Sequence, residues 1–262
     1  MLCKICHAAA IPVFTAKILN KYDAVYFRCS SCDFMQTEEP HWLRESYASA
    51  INEIDLGPVN RSMIGSRLIE GLILSSLDKD AKFVDYGGGY GLLVRLMRDR
   101  GFDYYWQDNY CENLFAKHFV AKGDMKFELL SAFEVFEHLV DPLSEITKML
   151  DYSDNLVFST LIVPGKPISA EDWWYFAPEH GQHVSFYTIA ALQAVAKMFD
   201  LHFCTDEVGT HLLSKRPVSN RFFRFFASES RLSRIACQLL RRRMRQQSLL
   251  ISDFKTISGH TL

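Results

Sequence analysis

Three groups of residues in this sequence have the types and spacing to do chemistry. The first is cysteine. Four of the seven fall within the first 32 residues, as Cys3 and Cys6 in "CKIC" and Cys29 and Cys32 in "CSSC". In a reducing compartment, paired C-x-x-C turns point to a metal rather than to disulfides, because each turn presents two thiolates to one ion. Four soft ligands suit tetrahedral Zn²⁺, and a closed shell leaves no position for water, so the expected role is structural. A redox dithiol and Fe–S ligation are the competing readings. His7 reads as a neighbour rather than a ligand, and Cys111, Cys204 and Cys237 stand alone.

The second group is "FVDYGGGYG", Phe83 to Gly91. Glycines between a strand and a helix let the backbone turn sharply and let a ligand approach without Cβ atoms in the way. A tight βα turn without a ligand would also use them. Two acids favour the ligand: Asp85 just before the glycines, and Asp108 23 residues later at the end of the next apolar run, where a carboxylate can accept from both hydroxyls of a ribose. No Gly-Lys-Ser/Thr follows, so this is not a phosphate-cradling loop. A nucleoside without phosphates fits better than ATP, and the acid before the glycines departs from the dinucleotide pattern.

The third group is histidine. "WWYFAPEHGQHVSFYT", Trp173 to Thr188, carries His180 and His183, and His138 lies in "FEHLVDP". All three fall at or after the ends of expected strands, where open α/β sheets bind ligands. Three roles are open to the pair. A metal would need a third ligand, with Glu179 or Asp172 available, although Pro178 and Gly181 interrupt any helix carrying His180-x-x-His183. The rings could pack or hydrogen-bond to backbone. At least one could serve an acceptor molecule as a base or hydroxyl-binding donor. Trp173, Trp174, Tyr175 and Tyr187 read as the apolar underside of a lid, or as a platform on which sugar rings stack. Glu134 and Glu137, three apart, could share a helix face for acid/base work; Glu137 as an acid at a helix N-terminus is the blander reading.

The elements that must position these groups alternate. "PVFTAKI" and "AVYFRC" are β-prone and lie between the cysteine pairs. Leu43, Tyr47, Ile51 and Ile54 recur at helical spacing, and after "DLGPVNR" a second amphipathic helix runs through Met63, Leu68 and Ile73. From Ala81 the chain reads strand "AKFVDY", helix "LLVRLMRDRG", strand "DYYWQD", strand "FELLSAF", helix "FEHLVDPLSEITKMLD" with an internal turn, strand "NLVFSTLIV", a helix opened by Thr188, and a closing hairpin "LHFCTDEV"/"THLLSKR". Such alternation implies a Rossmann-like, doubly wound α/β sheet with helices on both faces. The expected organisation is a zinc-binding module over 1–40, a helical connector over 41–78, a sheet domain over 79–214 and a basic helical tail over 215–262. The first forty residues have so little core that they would need a metal to fold.

The net charge of −2 over 262 residues hides an asymmetry. Residues 215–262 carry eleven Lys/Arg against two Asp/Glu, while the preceding 214 carry 18 against 29. An acidic body argues against a surface that coats nucleic acid. The tail, with Phe222, Phe225, Phe226, Leu232, Ile235 and Leu239 at helical spacing, could pack on the body or on a dimer mate, or attach peripherally to an anionic membrane. No run approaches 18 apolar residues, and "MLCKICHAAA" lacks the layout of a signal peptide, so the expected compartment is the cytoplasm.

"VDYGGGYG", the acid closing the second strand and "FELLSAFEVFEHLVDP" together resemble the class I S-adenosylmethionine (SAM)-dependent methyltransferases. The four cysteines, "WLRESYASAINEIDLGPVNR" and "WWY…PEHGQHVSFYT" extend that resemblance, over about residues 1–212, to a subgroup with an N-terminal zinc module, often associated with sugar or surface-glycan biosynthesis. The resemblance implies SAM as cofactor. It implies that Asp85, Tyr86, Gly87, Gly88, Gly89 and Gly91 form the loop around its methionine part, Asp85 ordering the loop or meeting the ammonium group. Asp108 would hold the ribose and Asn109 flank the adenine, with Phe133 and Glu134 bordering the cofactor. His138 would face the transfer site, with His180 and His183 as further catalytic candidates. One departure is that only about 18 residues separate Asp108 from "FELLSAF", so the third strand of the family must be very short or missing.

A sulfonium methyl is already electrophilic, so such an enzyme chiefly supplies proximity and in-line orientation. The expected reaction is O- or C-methylation of a small or carbohydrate-type acceptor. An RNA methyltransferase with a zinc module is the first alternative, disfavoured by the acidic body and the lack of an Asn/Asp-Pro-Pro-Tyr motif. A non-catalytic binding module of the same fold is the second.

Overall fold

The structure is a computed structural model that describes residues 1–47 and 56–260. The helical positions expected at Ile51 and Ile54 lie outside the described residues. Two sheets organise the rest. The larger has six strands: β4 (Lys82–Tyr86), β5 (Asp103–Gln107), β6 (Leu129–Ala132), β7 (Asn155–Ser159), β9 (His202–Thr205) and β10 (Thr210–Ser214), in the order β5-β4-β6-β7-β10-β9. The first four are parallel, and β10 runs antiparallel to both β7 and β9. The expected closing hairpin is thus the antiparallel edge of a mixed sheet.

Strand periodicity sorts this sheet's side chains onto two faces. Phe83, Leu129, Val157 and Leu212 pack on one side with helices α2 (Pro58–Ser76) and α3 (Leu92–Asp99). Their neighbours Val84, Leu130, Leu156, Phe158 and Leu213 pack on the other with α4 (Pro142–Tyr152) and α5 (Ile189–Met198). Both faces are covered, which explains why the parallel strands read as apolar runs rather than as alternations.

Local chemistry sets the element ends. "FEHLVDPLSEITKMLD" is not one helix. A 3₁₀ turn covers Phe136–His138, and α4 starts anew at Pro142, where Asp141 caps by accepting from the Ser144 N–H at 3.2 Å. Thr188 caps α5 as expected, accepting from Ala191 N–H at 3.1 Å. The missing third strand is reduced to one residue: Val120 forms an isolated parallel bridge to Trp106, flanked by Trp106 N–H to Phe119 O at 2.7 Å and Ala121 N–H to Trp106 O at 2.9 Å.

The smaller sheet is antiparallel, β1 (Ala10–Ile18), β2 (Tyr22–Cys29), β3 (Met35–Thr37) and β8 (Ser185–Phe186), in that order. Its fourth strand comes from the histidine segment, so the N-terminal sheet is completed by residues far along the chain. Trp42 follows β3, just before the short helix α1 (Leu43–Ser46), and donates its indole N–H to Gly181 O at 2.9 Å. Cys3, Cys29, Cys32 and Phe34 belong to the same apolar cluster as Val84, Leu130 and Phe158.

The tail folds back on the body as α6 (Asn220–Ala227), α7 (Arg231–Arg243) and α8 (Leu250–Ser258). Phe226 lies where any side chain at Gly71 of α2 would be, 2.2 Å from an ideal Cβ, so glycine is required at that contact. Buried Glu70 pairs with Arg100 at 2.5 Å and Arg241 at 2.8 Å. Buried Asp253 receives Arg98 in a fork, at 2.9 and 2.7 Å, and Arg95 at 3.0 Å. Part of the tail's charge is therefore spent on the acidic body. Leu232, Ile235 and Leu239 on α7 stay exposed. No described helix is long and apolar enough to cross a membrane.

Candidate functional site

The glycine loop sits at the C-terminal end of β4. Gly87, Gly89 and Gly91 adopt φ of 68°, 52° and 83°, left-handed values that side chains resist, and at Gly89 a Cβ would meet nothing within 4 Å. Gly89 is thus the point at which a ligand could approach bare backbone. Trp106 donates its indole N–H to Gly89 O at 2.8 Å, and Asp108 accepts from Gly89 N–H at 2.9 Å. The other Asp108 oxygen accepts from Tyr110 and Cys111 N–H at 2.7 and 2.9 Å. Three backbone donors therefore occupy the carboxylate expected to bind both hydroxyls of a ribose, and a second hydroxyl would have to exchange with one of them.

Asp85 is buried beneath the loop. Ser131 Oγ donates to it at 2.6 Å and itself lies 3.1 Å from the Tyr104 hydroxyl. Burial pushes the Asp85 pKa up to about 7, partly offset by the Ser131 bond. Tyr86 turns the other way, donating to Glu145 of α4, and with Gln107, Asn109, Met125, Lys126 and Tyr152 it lines an open cleft of about 420 Å³. At the end of β6, Phe133 packs its ring against Gly65 of α2. Glu134 takes φ of 55°, its N–H donates to Ser159 Oγ at 2.8 Å, and Ser159 donates back to its carboxylate at 2.6 Å.

The histidines converge. The rings of His138 and His183 are 4.9 Å apart, as are those of His180 and His183. The 3₁₀ turn after β6 supplies His138, and the segment leading into β8 supplies the others. Val184 N–H donates to Glu137 O at 2.9 Å and Ser185 Oγ to Leu139 O at 2.6 Å, so the two pieces are tied by one backbone bond and one side-chain bond to backbone. His183 Nδ1 donates to Tyr175 O at 2.7 Å, which leaves its Nε2 with the lone pair. His138 Nδ1 meets the Tyr47 hydroxyl at 3.1 Å. Burial, then His180, lowers the His138 pKa to about 4, and burial holds His183 well below the usual range, so both rings are neutral near pH 7.

The four N-terminal thiols also converge. Cys3 and Cys32 Sγ are 3.7 Å apart, Cys6 and Cys29 3.4 Å, and Cys6 and Cys32 3.5 Å. All four are free thiols, and these spacings match the edge of a sulfur tetrahedron around an ion with bonds of about 2.3 Å. Backbone N–H groups of Ile5, Ser31 and Cys32 point at the sulfurs of Cys3 and Cys29 at 3.3–3.4 Å, a supporting shell for thiolate charge.

A family model for a methyltransferase domain matches residues 62–203. The chain belongs to this family. Its methyltransferase domain has a Rossmann-like α/β fold with a mixed sheet. Among solved structures it is similar to CalO1, a methyltransferase in calicheamicin biosynthesis in its SAH-bound form (12% identity, 60% of this chain and 55% of that chain, TM-score 0.43). It is also similar to the plantazolicin methyltransferase BpumL bound to SAH (11%, 66% and 89%, 0.44) and to TnmH (14%, 68% and 62%, 0.48). The match spans about half the length of CalO1. No curated protein matches the chain.

In this methyltransferase the matched region runs from α2 to β9, and the histidine segment lies within it, between β7 and α5. Asp172, weighed as a metal ligand from its position, is engaged instead in capping a 3₁₀ turn, accepting from Ile168 and Ser169 N–H at 2.7 and 2.9 Å. The acid that the fold brings to the histidines is Glu137, read from sequence as a helix-terminal charge. It is fully buried, and the Tyr175 and Thr160 hydroxyls lie beside it, also buried and without well-formed hydrogen bonds. Trp173, Tyr175 and Tyr187 are buried and only Trp174 is exposed, at 74%, so the segment is mostly core rather than a stacking platform. Sequence reasoning did not place Tyr47 or Thr160 at this site, and it weighed Glu137 only with Glu134 and Tyr175 only as part of a lid or platform. Only Glu137, adjacent to His138, carried a local signal.

Proposed function

We propose that this methyltransferase transfers a methyl group from SAM to an oxygen or carbon of a small-molecule acceptor, a carbohydrate-type molecule among the candidates, on the face formed by His138, His180 and His183. The observation that carries the reading is the convergence of His138 and His183 at 4.9 Å directly after β6, the strand beside the glycine loop. In this reading Gly87–Gly91 cradle the methionine part of the cofactor, Asp85 orders the loop from beneath or meets the ammonium group, and Asp108 and Asn109 hold the ribose and adenine side. Phe133 and Glu134 border the cofactor from the end of β6. The neutral His183 Nε2 is suited to accept a hydrogen bond from an acceptor hydroxyl, which orients the oxygen for in-line attack on the sulfonium methyl.

Cys3, Cys6, Cys29 and Cys32 would hold a structural Zn²⁺, which supplies folding energy rather than chemistry. Residues 1–40 are its binding part in this reading. A role in glycan biosynthesis, a cytoplasmic site and a membrane or dimer contact through α7 belong to the same reading. Transfer from labelled SAM, assayed against panels of sugar nucleotides, glycans, phenolic natural products and RNA, tests it. Turnover confined to RNA would overturn the acceptor class, and no turnover on any panel would overturn the reading of the histidine face.

A further inference from the structure

We propose that Glu137, His138 and His183 form a second metal centre, a two-histidine, one-carboxylate site for a divalent transition-metal cation of the Zn²⁺ or Mn²⁺ class that binds the acceptor's oxygen. The inference rests on the reading of the histidine face given above and deepens it. One ligand atom from each of the three residues lies within 4.8 Å of the others. His138 Nε2 and Glu137 Oε1 are 4.0 Å apart. A cation with bonds of about 2.0–2.2 Å would draw these atoms together by about an ångström, a small rotamer adjustment.

The decisive feature is Glu137. Its side chain has no solvent exposure, and neither carboxylate oxygen closes a hydrogen bond of good geometry among the described residues, although the Tyr175 and Thr160 hydroxyls approach it. A buried carboxylate left so is costly unless it is protonated or coordinates a cation. The Tyr175 and Thr160 hydroxyls face the same carboxylate without closing good hydrogen bonds to it, so the polar atoms gathered at this buried spot are only loosely satisfied by one another.

The shell behind the ligands fits. A metal-binding histidine normally commits its other ring nitrogen to a carbonyl or hydroxyl, which fixes tautomer and orientation. His183 does so with Tyr175 O at 2.7 Å, and His138 with the Tyr47 hydroxyl at 3.1 Å. The His183 Nε2 is thereby left for the metal, while the His138 ring, which also reaches the Gln182 backbone, turns its Nε2 to within 4.0 Å of Glu137. Nitrogen and carboxylate donors also separate this centre chemically from the four-thiolate one, and three protein ligands leave a coordination position open, the mark of a reactive rather than a structural site.

The chemistry balances. An acceptor hydroxyl bound to the cation loses its proton to solvent near neutral pH, its oxygen forms the bond to the methyl carbon, and the carbon–sulfur bond breaks to release S-adenosylhomocysteine. The cation is unchanged, and no oxidant or reductant is needed.

The test counts metal in the full-length protein after exposure to Zn²⁺ and removal of the free ion. Two equivalents per chain are expected. Glu137→Gln and His183→Ala should each hold one, and Cys29→Ser should lose the other. Glu137→Gln is nearly isosteric, and unchanged circular dichroism and SAH affinity would show that it folds. A wild-type count of one, or two equivalents retained in both Glu137→Gln and His183→Ala, overturns the inference. Co²⁺ substitution gives a second readout: a nitrogen/oxygen-ligated spectrum beside the thiolate one, absent in Glu137→Gln. Methyl transfer by protein holding only the thiolate-bound metal would sink the second centre and leave the proposed reaction standing. Two equivalents without turnover on any acceptor would do the reverse.

Discussion

Met35 of β3 pairs with Phe186 of β8 in an antiparallel ladder, so the sheet that carries the cysteines ends on the segment that carries His180 and His183. The link continues inward: Thr37 N–H donates to Val184 O at 3.1 Å, and Val184 N–H to Glu137 O at 2.9 Å. The thiol cluster and the histidine face are thus two ends of one hydrogen-bonded path. Stripping the metal proposed for the four cysteines with a chelator, or through Cys29→Ser, should lower the melting temperature of the whole sheet domain in a single transition and broaden the His183 ring signals in NMR. A separate low-temperature transition, with the histidine signals unmoved, would show the N-terminal part to be independent.

Gly89→Ala should separate ligand approach from backbone strain. The left-handed conformation at Gly89 costs any side chain about 1 kcal/mol, yet the space above it is open. Gly165→Ala, at φ of 55° and also open, carries the same strain away from the loop. Both should lose similar stability, while only Gly89→Ala should weaken SAH binding, by about tenfold or more. Equal calorimetric affinities for the two variants would remove Gly89 from the cofactor site.

Asp85 should make stability rise as pH falls toward 4. Its folded pKa is raised to about 7 by burial, against about 3.9 in an unfolded chain. A raised acid penalises the folded state: the penalty is absent below about pH 4, grows between 4 and 7, and is full above, at up to ~4 kcal/mol. Asp85→Asn keeps an acceptor for Ser131 and removes the charge. It should therefore stabilise the protein at pH 8 and change little at pH 4.5, as read by denaturant unfolding. If Asp85 also meets the cofactor's ammonium group, the same variant loses SAH affinity despite its greater stability.

Asp253→Ala tests the docking of the tail. It removes the fork that receives Arg98, whose side chain is 7% exposed and keeps Asp103 at 2.6 Å, a backbone carbonyl and the face of the Phe119 ring. Leaving a buried guanidinium half-paired should cost about 3 kcal/mol and free α8 to limited proteolysis. Asp99→Ala, which breaks the more exposed pair with Arg95 at 2.8 Å, should cost no more than about 0.5 kcal/mol. Equal melting temperatures for the two would show that α8 is not held by this contact.

What the sequence determined by itself is what local spacing encodes. The C-x-x-C pairs, the glycines between strand and helix, the Thr188 cap and the alternation of apolar runs each depend on neighbours within a few residues, and each formed. The single-residue remnant of the third strand was implied in the same way, by a linker too short to hold a full one. Where α4 begins was missed because Asp141-Pro142 starts a new helix rather than bending an old one. The tertiary structure decided the rest. Nothing near Ser185 or Phe186 announces that they complete a sheet begun at Ala10, because an edge strand of two residues has no period to read. Glu137 beside His138 looked like a helix-end charge. It became the buried acid of the histidine cluster only because the segment after β7 folds back over β6 and closes water out. The basic tail left packing on the body, a dimer mate and a membrane surface all open; what docks it is Glu70 of α2, which holds Arg241 of α7, and the tail's own acid Asp253, which holds Arg95 and Arg98 of α3. Charge complementarity between distant segments leaves no mark in either segment alone.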